Sequence, residues 1–561
     1  MKTNKVIKIG IFSKDFDKLR NFEYRIIQKI LEDPNLELKV IIFDGRKNKN
    51  SNGIFKKIIN ETTSIKIIPK IILKLQELLE LFLFKIPDPV NKDLIINSLK
   101  KIDNVSLNPE KKGFFDIFTD NDCIKIKKYD LDVILRHEFN IIKGEILNLP
   151  KYGVWSFHHA DNNINRGGPS CFWEVLKKEK TVGVTLQKLT TELDGGIIID
   201  KGFYNIDWSW IKTRNIVLES SVNLLFKNLN RLKNNRLKTR KSSLYYFKLF
   251  KSPNITNVFK YIFLFYIRLS NKIFKKIMTS VFLKKYSHWS IIISKGNFLN
   301  TVLHRLKSID SPKNEFWADP FIFSHKGNNY VFFENYEYDK AKGKISCGKI
   351  IENNLTDIKD VLVLPYHLSY PNIFYYENEI YMIPETHQNK RLEIYKCQSF
   401  PDKWELYSTG FEGERIADCN FYEDINKMKW LFLNKHEPGL VGHSDLYIYQ
   451  IDSLRLKKIK PHFDNPVIIN TSNARNAGPL FNYNSRTYRP SQICNGGIYG
   501  RGLNINEIKE LTLNDYEEIQ VEKCLPYFKD NLIGVHHLHQ TNDFFAIDVC
   551  YNVRKKSDFI K

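Results

Sequence analysis

The apolar residues of the first half of the chain fall into short continuous runs, separated by segments of helical spacing. The runs 6–13 and 36–45 read as buried strands, and the segment between them repeats its apolar residues at helical spacing to about Leu31. A strand, a helix and a strand at this separation predict a right-handed βαβ unit in a parallel sheet. The first strand lacks the glycine pattern of dinucleotide-binding folds, so it does not favour NAD.

The same half contains five further predicted helices and strands. Residues 67–89 repeat apolar positions at three and four up to two prolines and predict a helix packed on the sheet. Lysines interrupt that stretch, which argues against a membrane span. Residues 130–147 predict a strand, a turn and a short helix, 195–207 a last strand, and 213–233 an amphipathic helix that closes the domain near residue 235.

From His288 onward the pattern changes to short strands with aromatic residues. Most of five similar segments combine a small or polar start, a strand, a polar turn and a second aromatic strand. They begin about fifty residues apart, at Ala318, Tyr370, Ala417, Ala477 and Gly534. This period predicts a propeller of five four-stranded blades, with residues 288–294 as a closing strand beside the last blade. An irregular β-sandwich is the alternative.

Composition changes this picture little. A chain of 561 residues suggests two or three domains, and 42% hydrophobic residues suffice for packed cores. Eight scattered cysteines without metal-ligand spacing indicate a reducing compartment and no structural zinc. The net charge of +23 comes mostly from dispersed lysines, so it favours anionic small ligands over nucleic acid. The amino terminus lacks a signal-peptide pattern, and we expect a cytoplasmic protein.

A strongly basic segment, 236–287, joins the two halves. Its cations recur every three to five residues, so it cannot span a membrane. One interpretation is a linker helix docked between domains. The other is an amphipathic helix, within 251–285, that lies on an anionic membrane surface such as the inner face of a bacterial membrane.

The richest motif lies between Gly153 and Asp194. It combines His158 after an apolar run, an Arg-Gly-Gly-Pro turn from Arg166, the run 182–185 (VGVT) and a Leu-Asp-Gly-Gly turn that includes Asp194. This order over about forty residues resembles the formyltransferases that use 10-formyltetrahydrofolate, which include methionyl-tRNA and sugar-nucleotide enzymes. That family has Asn where this chain has Ser156. The resemblance implies a Rossmann-like parallel sheet and 10-formyltetrahydrofolate as cosubstrate.

Formyl transfer explains why these residue types are needed. The reaction passes through a tetrahedral oxyanion, and the attacking ammonium must lose a proton. The resemblance makes His158 the acid/base and Asp194 the carboxylate that orients it, while Ser156 replaces an amide donor with a rotating hydroxyl. The alternative is that His158 and His159 are ordinary strand-end histidines and Asp194 a turn residue.

The resemblance also implies where the ligands bind. In the family, the loop at 136–142 holds the folate ring through backbone groups. We therefore expect cofactor binding by Arg136, Phe139, Ile141 and Ile142. The Arg166-Gly167 turn is expected to contact the substrate. On sequence alone the loop could equally be an ordinary connection between a strand and a helix.

The second half resembles the five-bladed propellers of glycoside hydrolase family 43. Through the stretches 317–321, 488–492 and 498–500 it is more similar to the N-terminal domain of plant glucosamine inositolphosphorylceramide transferases. Two of the hydrolases' three acids have counterparts, Asp319 and Asp418. The corresponding part of blade four has no Glu, which disfavours hydrolysis. We expect a pocket on the propeller axis for a sugar or a phosphorylated glycan, lined by Asp319, Asp418, Arg475, Arg489 and the histidines at 536, 537 and 539.

Together these patterns predict two folded parts joined by a basic linker. The expected fold class is an α/β formyltransferase-like domain with a Rossmann-like parallel sheet (1–235), a linker helix (236–287) and an all-β five-bladed propeller (288–555). The expected function is formyl transfer to an amino sugar, nucleotide- or glycan-linked, in bacterial surface-polysaccharide assembly. The alternatives are a glycan-binding or glycosyl-transferring propeller beside a degenerate first domain, and a membrane-associated scaffold. We expect neither a metal nor a nucleic-acid partner.

Overall fold

The structure is a computed structural model that describes residues 6–46, 64–84, 90–191, 196–277, 285–436, 440 and 442–554. It divides into two compact units, the first ending at Arg268 and the second beginning at Leu269. The expected fold class is confirmed by the strand order within each unit. Among the described helices, none is long and apolar enough to cross a membrane.

The first unit is built on a seven-stranded sheet in the order β10-β9-β8-β6-β1-β2-β3. The pairs β1-β2, β1-β6, β2-β3 and β6-β8 are parallel, whereas β8-β9 and β9-β10 are antiparallel. A small second sheet has the order β4-β5-β7. The strands are β1 (Ile7–Ser13), β2 (Leu36–Asp44), β3 (Asp103–Leu107), β4 (Glu110–Lys112), β5 (Phe115–Ile117), β6 (Val133–Arg136), β7 (Ile141–Lys143), β8 (Val154–His158), β9 (Thr181–Lys188) and β10 (Ile197–Asn205).

The first half of the chain also contains the described α-helices, the last of which continues past the Arg268 boundary of the first unit. They are α1 (Asn21–Glu32), α2 (Ser64–Leu83), α3 (Lys92–Leu99), α4 (Asp120–Lys127), α5 (Phe172–Lys177), α6 (Trp210–Ser220), α7 (Val222–Lys233) and α8 (Ile255–Ile277). The predicted helix over 213–233 is two helices that meet at Ser221, whose hydroxyl donates to the carbonyl of Leu218 at 2.7 Å. Side chains that compete for backbone carbonyls in this way weaken or bend a helix.

The second unit consists of five antiparallel sheets. Four of them follow the chain in blade order. Their strands are β13 (Glu315–His325), β14 (Asn328–Glu337), β15 (Lys342–Ile351) and β16 (Asn354–Leu362) in the first; β17 (Ser369–Tyr376), β18 (Glu379–Glu385), β19 (Leu392–Ser399) and β20 (Lys403–Gly410) in the second; β21 (Ile416–Glu423), β22 (Lys429–Lys435), β23 (Asp445–Ile451), β24 (Ile459–Pro461) and β25 (Ile468–Ile469) in the third; and β26 (Phe481–Tyr483), β27 (Arg486–Gln492), β28 (Leu503–Leu511) and β29 (Tyr516–Cys524) in the fourth.

The fifth sheet joins the two ends of this unit. It contains β11 (Lys285–Lys295), β12 (Ser308–Ile309), β30 (Leu532–Gly534), β31 (Leu538–Gln540) and β32 (Phe544–Arg554). Strand β11 pairs with β32 from Lys285↔Arg554 to Lys295↔Phe544, so the predicted closing strand is confirmed. Closure of this kind removes the exposed edges that an open array of blades would leave.

The first strands of blades one to three share a bulge at one position. The register shifts between Ala318 and Phe321 in β13, and equivalent shifts occur in β17 and β21. Each bulge holds one residue at positive φ: Asp319 at 49°, Tyr370 at 49° and Asp418 at 46°. A bulge re-aims a side chain away from the regular alternation of the strand. The repeat thus sets Asp319 and Asp418 in equivalent places of two blades.

Candidate functional site

A cavity of about 250 Å³ opens at the carboxyl ends of β6 and β8, where parallel sheets commonly bind ligands. Arg136 is the last residue of β6, and His158 is the last residue of β8. The cavity is lined by Arg136, Ile141, Ile142, Ser156, Phe157, His158, Gly167, Gln187, Leu189, Thr190 and Gly196. The structure therefore brings together residues from the predicted folate loop and from the predicted catalytic motif.

His158 is held by the loop that follows it. Its Nε2 donates to the backbone carbonyl of Asn165 at 2.8 Å, and the amide of Asn165 donates to Glu174 Oε1 at 2.7 Å. Burial raises the pKa of the Glu174 carboxyl. A carbonyl can only accept a hydrogen bond, so Nε2 carries a proton in this contact.

The neighbouring His159 has a different environment. Its ring stacks on Phe157, with centroids 5.4 Å apart, and meets the edge of Phe22. Burial lowers the pKa of His159 to about 3, so this ring is neutral at ordinary pH. The two adjacent histidines therefore have different surroundings, because His158 lines the cavity and His159 packs among aromatic side chains.

Ser156 lies beside the partly buried guanidinium of Arg136. Arg136 Nη1 donates to Ser156 Oγ at 3.2 Å, and Arg136 Nη2 donates to the carbonyls of Phe139 and Asn140 at 2.9 and 2.8 Å. Arg136 Nε is buried and has no partner among the described residues. Burial lowers the pKa of this guanidinium, although it stays cationic at any physiological pH. The side chain of Arg136, and not only its backbone, thus reaches the site.

Sequence reasoning missed Gln187. This residue stands directly opposite Ser156 in the antiparallel pairing of β8 with β9, and its buried side chain lines the same cavity. A Cβ on Gly196 would lie 2.9 Å from Gln187 Oε1 and 2.9 Å from the backbone carbonyl oxygen of Lys188, and the rigid backbone contact favours glycine there. The signal that could have found it is the run at 182–185, since continuing that strand by two residues points Gln187 to the face of Thr185.

The predicted folate loop contributes only part of its residues to the cavity. Ile141 and Ile142 line it. Phe139 instead packs against Phe12 and Phe118 in the hydrophobic core, at centroid distances of 5.1 and 5.2 Å. Only the carbonyl of Phe139 faces the site residues, through its bond from Arg136. The side chain of Phe139 thus belongs to the core, and cofactor binding through the backbone of this loop stays a prediction.

Residues of the basic segment 236–287 hold the Arg166-Gly167 turn in place. Arg166 Nε donates to the carbonyl of Asn162 at 2.9 Å, and its guanidinium lies 4.5 Å from the ring centroid of Tyr245. Gly168 N donates to the carbonyl of Phe250 at 3.1 Å, and Phe250 N donates to the carbonyl of Arg166 at 2.9 Å. Gly167 lines the cavity, whereas the side chain of Arg166 is engaged by these contacts instead of lining it. Asp194 lies outside the described residues.

A larger cavity of about 620 Å³ lies within the first unit. Ser170, at the end of the Arg-Gly-Gly-Pro-Ser turn, lines it. Three cations, Arg20, Lys92 and Arg214, lie along its wall together with Glu77 and Glu219. Arg214 is paired with Glu77 at 2.9 Å. The single turn at 166–170 thus contributes to both cavities.

In the second unit, the predicted axial residues Asp319 and Asp418 are both buried. Asp319 Oδ2 accepts from the backbone N–H of Tyr370 at 3.1 Å, and its Oδ1 lies 3.8 Å from His536 Nε2. Burial raises the pKa of the Asp319 carboxyl to about 7. His536 Nδ1 is 2.6 Å from Asp548 Oδ2, and although burial opposes protonation this carboxylate raises the pKa of His536. Asp319, His536 and Asp548 are the one group with metal-ligand spacing among the described residues.

Asp418 pairs with Arg475. The sequence analysis named both residues but not Glu385, which lies near Arg475. Arg475 Nε is 2.5 Å from Asp418 Oδ2, and Arg475 Nη2 is 3.9 Å from Glu385 Oε2. Although burial opposes its ionisation, the bond from His387 and the charge of Arg475 hold the pKa of Glu385 below its usual range. Burial raises the pKa of Asp418 despite Arg475. The axis therefore contains a Glu, supplied by the second strand of blade two and not by blade four.

Arg489 has a structural place instead of the expected ligand contact. Its side chain is fully buried and pairs with Glu518 through two hydrogen bonds of 2.7 Å. Its remaining donors reach Asn476 Oδ1 at 3.2 Å and the carbonyl of Asn473 at 2.7 Å. Four of the five N–H donors of this guanidinium are thus used inside the blade, where they hold strand β27 against β29. His539 is likewise internal, because its Nδ1 accepts from the backbone N–H of Ile322 at 2.9 Å.

Comparison with known proteins places different relatives along the two halves of the sequence. Residues 298–532 match the family model described as glucosamine inositolphosphorylceramide transferase 1, N-terminal. The enzyme of that name from Oryza sativa subsp. japonica is 32% identical over 215 residues, which is 37% of this chain and 28% of the relative. The chain thus spans less than a third of the length of that relative.

A methionyl-tRNA formyltransferase from Prochlorococcus marinus is 29% identical over 115 residues, 20% of this chain and 31% of the relative. Among solved structures, a sugar N-formyltransferase from Shewanella sp. is 15% identical with a TM-score of 0.27, covering 45% of this chain and 78% of that one. The chain is thus similar to formyltransferases and to the N-terminal part of glucosamine inositolphosphorylceramide transferases.

Proposed function

We propose that the first unit transfers a formyl group from 10-formyltetrahydrofolate to an amino group on a sugar. The observation that carries this proposal is the cavity at the ends of β6 and β8, where His158, Arg136, Ser156 and Gln187 meet. Similarity to methionyl-tRNA formyltransferases supports the class of reaction.

The lining of the cavity fits the reacting end of a folate. Ile141, Ile142 and Leu189 offer apolar contacts to a flat ring, and Arg136 supplies a cation at the same wall. A volume of about 250 Å³ is below the range of roughly 300–1,000 Å³ that encloses a whole drug-sized ligand. We infer that the cavity takes the ring and the one-carbon group, while the rest of the cosubstrate extends into solvent.

Bound there, 10-formyltetrahydrofolate supplies the formyl group, and the chain supplies proton transfer and oxyanion binding. In this proposal His158 accepts a proton from the attacking ammonium and returns one to the departing nitrogen. The bond from its Nε2 to Asn165 holds the ring in place during both steps. Asp194 keeps the orienting role that the family resemblance gives it.

The oxyanion needs donors other than the missing Asn. The carboxamide of Gln187 enters from the strand facing Ser156 and can donate an N–H where the family's amide would lie. Arg136 Nε, buried without a partner among the described residues, offers a second and cationic donor. Removing one such donor from an enzyme costs about 10²–10³ in rate. Because Gln187 and Arg136 can supply these donors, the proposed reaction does not depend on the hydroxyl of Ser156.

The acceptor is proposed to be an amino sugar carrying a phosphate. Glucosamine appears in the name of the transferase whose N-terminal part resembles the propeller. The larger cavity beside the 166–170 turn is lined by Arg20, Lys92 and Arg214, which suit a sugar phosphate or nucleotide. Assembly of surface polysaccharides is the setting in which formylated amino sugars would be used.

Three titrations and one assay test this function in the full-length protein. Binding of a stable 10-formyltetrahydrofolate analogue is measured by calorimetry in the wild type, in His158→Ala and in His159→Gln. Formyl transfer to a panel of nucleotide-linked amino sugars is followed by mass spectrometry. We expect micromolar binding by all three proteins and turnover lost only in His158→Ala. Absence of binding by folded wild type, or full turnover in His158→Ala, contradicts the proposal.

A second candidate function is glycan binding by the propeller, and the axial carboxyls favour it. A sugar there would meet protonated Asp319 beside ionised Glu385, an arrangement that both donates and accepts hydrogen bonds. Calorimetry with glucosamine 1-phosphate separates the two functions. Loss of sugar binding in Asp319→Asn, with formyl transfer unchanged, supports a binding role for the propeller. Binding that is equally strong in the variant assigns the sugar to the first unit.

A further inference from the structure

Helix α8 exposes an apolar stripe along its length. Phe259, Phe263, Tyr266, Ile273 and Phe274 fall within about 100° of one another when successive residues are turned by 100°. The three phenylalanines are 55%, 65% and 62% exposed. Val258, Tyr261 and Phe265 lie on the opposite side and are fully buried. The amino-terminal half of the helix is thus apolar on two sides, of which only one is covered.

The buried side is anchored by specific contacts within the first unit. Tyr261 Oη donates to Glu80 Oε1 at 2.6 Å and accepts from the backbone N–H of Trp210 at 2.9 Å. Phe265 packs near Trp208, with centroids 5.1 Å apart. These contacts fix the rotation of the helix about its own axis. The exposed stripe is therefore a consequence of how the helix docks and not of a loose segment.

The charge around the stripe has one sign. From Arg236 to Ile277 the sequence carries eleven Lys or Arg residues and no Asp or Glu. Lys260 follows the first residue of the stripe, and Lys275 follows the last of the five. Exposed Leu244, Tyr246 and Leu249 add apolar side chains in the same acid-free stretch. An apolar face bordered by cations is the pattern of helices that lie in the interface of anionic membranes.

We propose that α8 binds the surface of an anionic lipid bilayer, with its axis parallel to the membrane and the stripe inserted among the lipid headgroups. At 23 residues the helix is long enough to cross a membrane but is not apolar enough, so we place it on the surface. A second copy of the chain is a poorer occupant, because pairing two stripes would bring two acid-free segments together. Phosphate headgroups neutralise these cations, whereas an identical helix repels them.

Sedimentation with vesicles tests this inference in the full-length protein. The vesicles are phosphatidylcholine alone, or phosphatidylcholine with one third phosphatidylglycerol. We expect the wild type to pellet with the anionic vesicles only, and to be released as salt is raised. Phe259→Ser/Phe263→Ser should weaken that binding at least tenfold, and Lys260→Glu/Lys275→Glu should weaken it at low salt. Ile425→Ser, at a 95% exposed propeller position, is the matched control and should bind like the wild type.

Two outcomes overturn the inference. The first is a folded wild type that stays in the supernatant with both vesicle types, or a stripe variant that pellets as the wild type does. The second is a concentration-dependent dimer, measured by light scattering without lipid, that the stripe variant abolishes while lipid binding is absent. That result assigns the stripe to a second copy. Circular dichroism shows that each variant is folded, and the result does not depend on the proposed formyl transfer.

Discussion

Gln187 and Ser156 face each other across the antiparallel pair β8-β9, and both line the cavity that contains His158. Directly opposed residues in such a pair have Cβ atoms roughly 4.5–5.5 Å apart. A carboxamide on one strand can therefore reach the space left by a short side chain on the other. The cavity can therefore contain an amide donor although residue 156 is Ser and not Asn.

Replacing Gln187 by Met keeps the length of the side chain and removes its donor. We expect the single-turnover rate of formyl transfer to fall by about 10²–10³, with little change in melting temperature. Ser156→Asn in the Gln187→Met background should recover much of that rate, whereas Ser156→Asn alone should raise transfer only modestly. A rate unaffected by Gln187→Met would remove Gln187 from the mechanism.

Gly167→Ala should disrupt the turn that contributes to both cavities. Gly167 has a φ of 119°, and a Cβ there would lie 1.8 Å from the carbonyl oxygen of Phe250. We expect a destabilisation of about 2 kcal/mol or more and a loss of formyl transfer. Gly113→Ala is the matched control, because Gly113 also has a positive φ but nothing lies within 4 Å of the added Cβ. Chemical denaturation of both variants separates backbone strain from the clash.

Asp319→Asn should alter the pH dependence of stability. The folded-state pKa of Asp319 is raised from 3.8 to about 7 by burial, so between these values the folded protein binds the proton that the unfolded chain has lost. Stability from this group therefore decreases as pH rises from 4 to 7. The variant should gain stability relative to the wild type over that range, by about 1–4 kcal/mol. Melting temperatures at pH 5 and pH 8 measure the gain, and a constant difference contradicts it.

Arg489→Met should destabilise the protein because it leaves the buried carboxylate of Glu518 without its partner. Breaking a buried ion pair from one side costs about 3–5 kcal/mol, whereas replacing both partners by apolar residues costs much less. Arg489→Met/Glu518→Met is therefore expected to be more stable than Arg489→Met. Binding of glucosamine 1-phosphate should be the same in wild type and folded variant, and a specific loss of binding would return Arg489 to a ligand site.

Much of the fold could be predicted because its determinants are local. Apolar runs located β1 and β2, helical spacing located the helix that extends over Ser64–Leu83, and the fifty-residue period located the blades. The break at Ser221 depends on one hydroxyl and its backbone contact, which periodicity does not register. The motif between Gly153 and Asp194 placed His158 at the cavity because its residues lie close together in the sequence.

The remaining site residues depend on contacts between distant strands. Gln187 matters because of its register against Ser156, 31 positions away in the sequence. Glu385 reaches the axis from the second strand of its blade. The order of acids along related propellers does not predict an acid at that position. The sequence alone predicts Arg489 as a ligand residue, whereas in the structure it pairs with Glu518 on β29. A sequence pattern supplies candidates for such positions, but the sheet register selects among them.

Because Phe250 pairs with the Gly167 turn, the first unit extends beyond residue 235, where the sequence motifs alone would end it. Cutting the chain after residue 235 removes the segment that fastens this turn, although every predicted motif is retained. Such a truncated protein would keep its sheet and lose the shape of its ligand site. Recombination or gene fission at that point would separate the proposed formyl-transfer site from the basic segment that holds its turn in place.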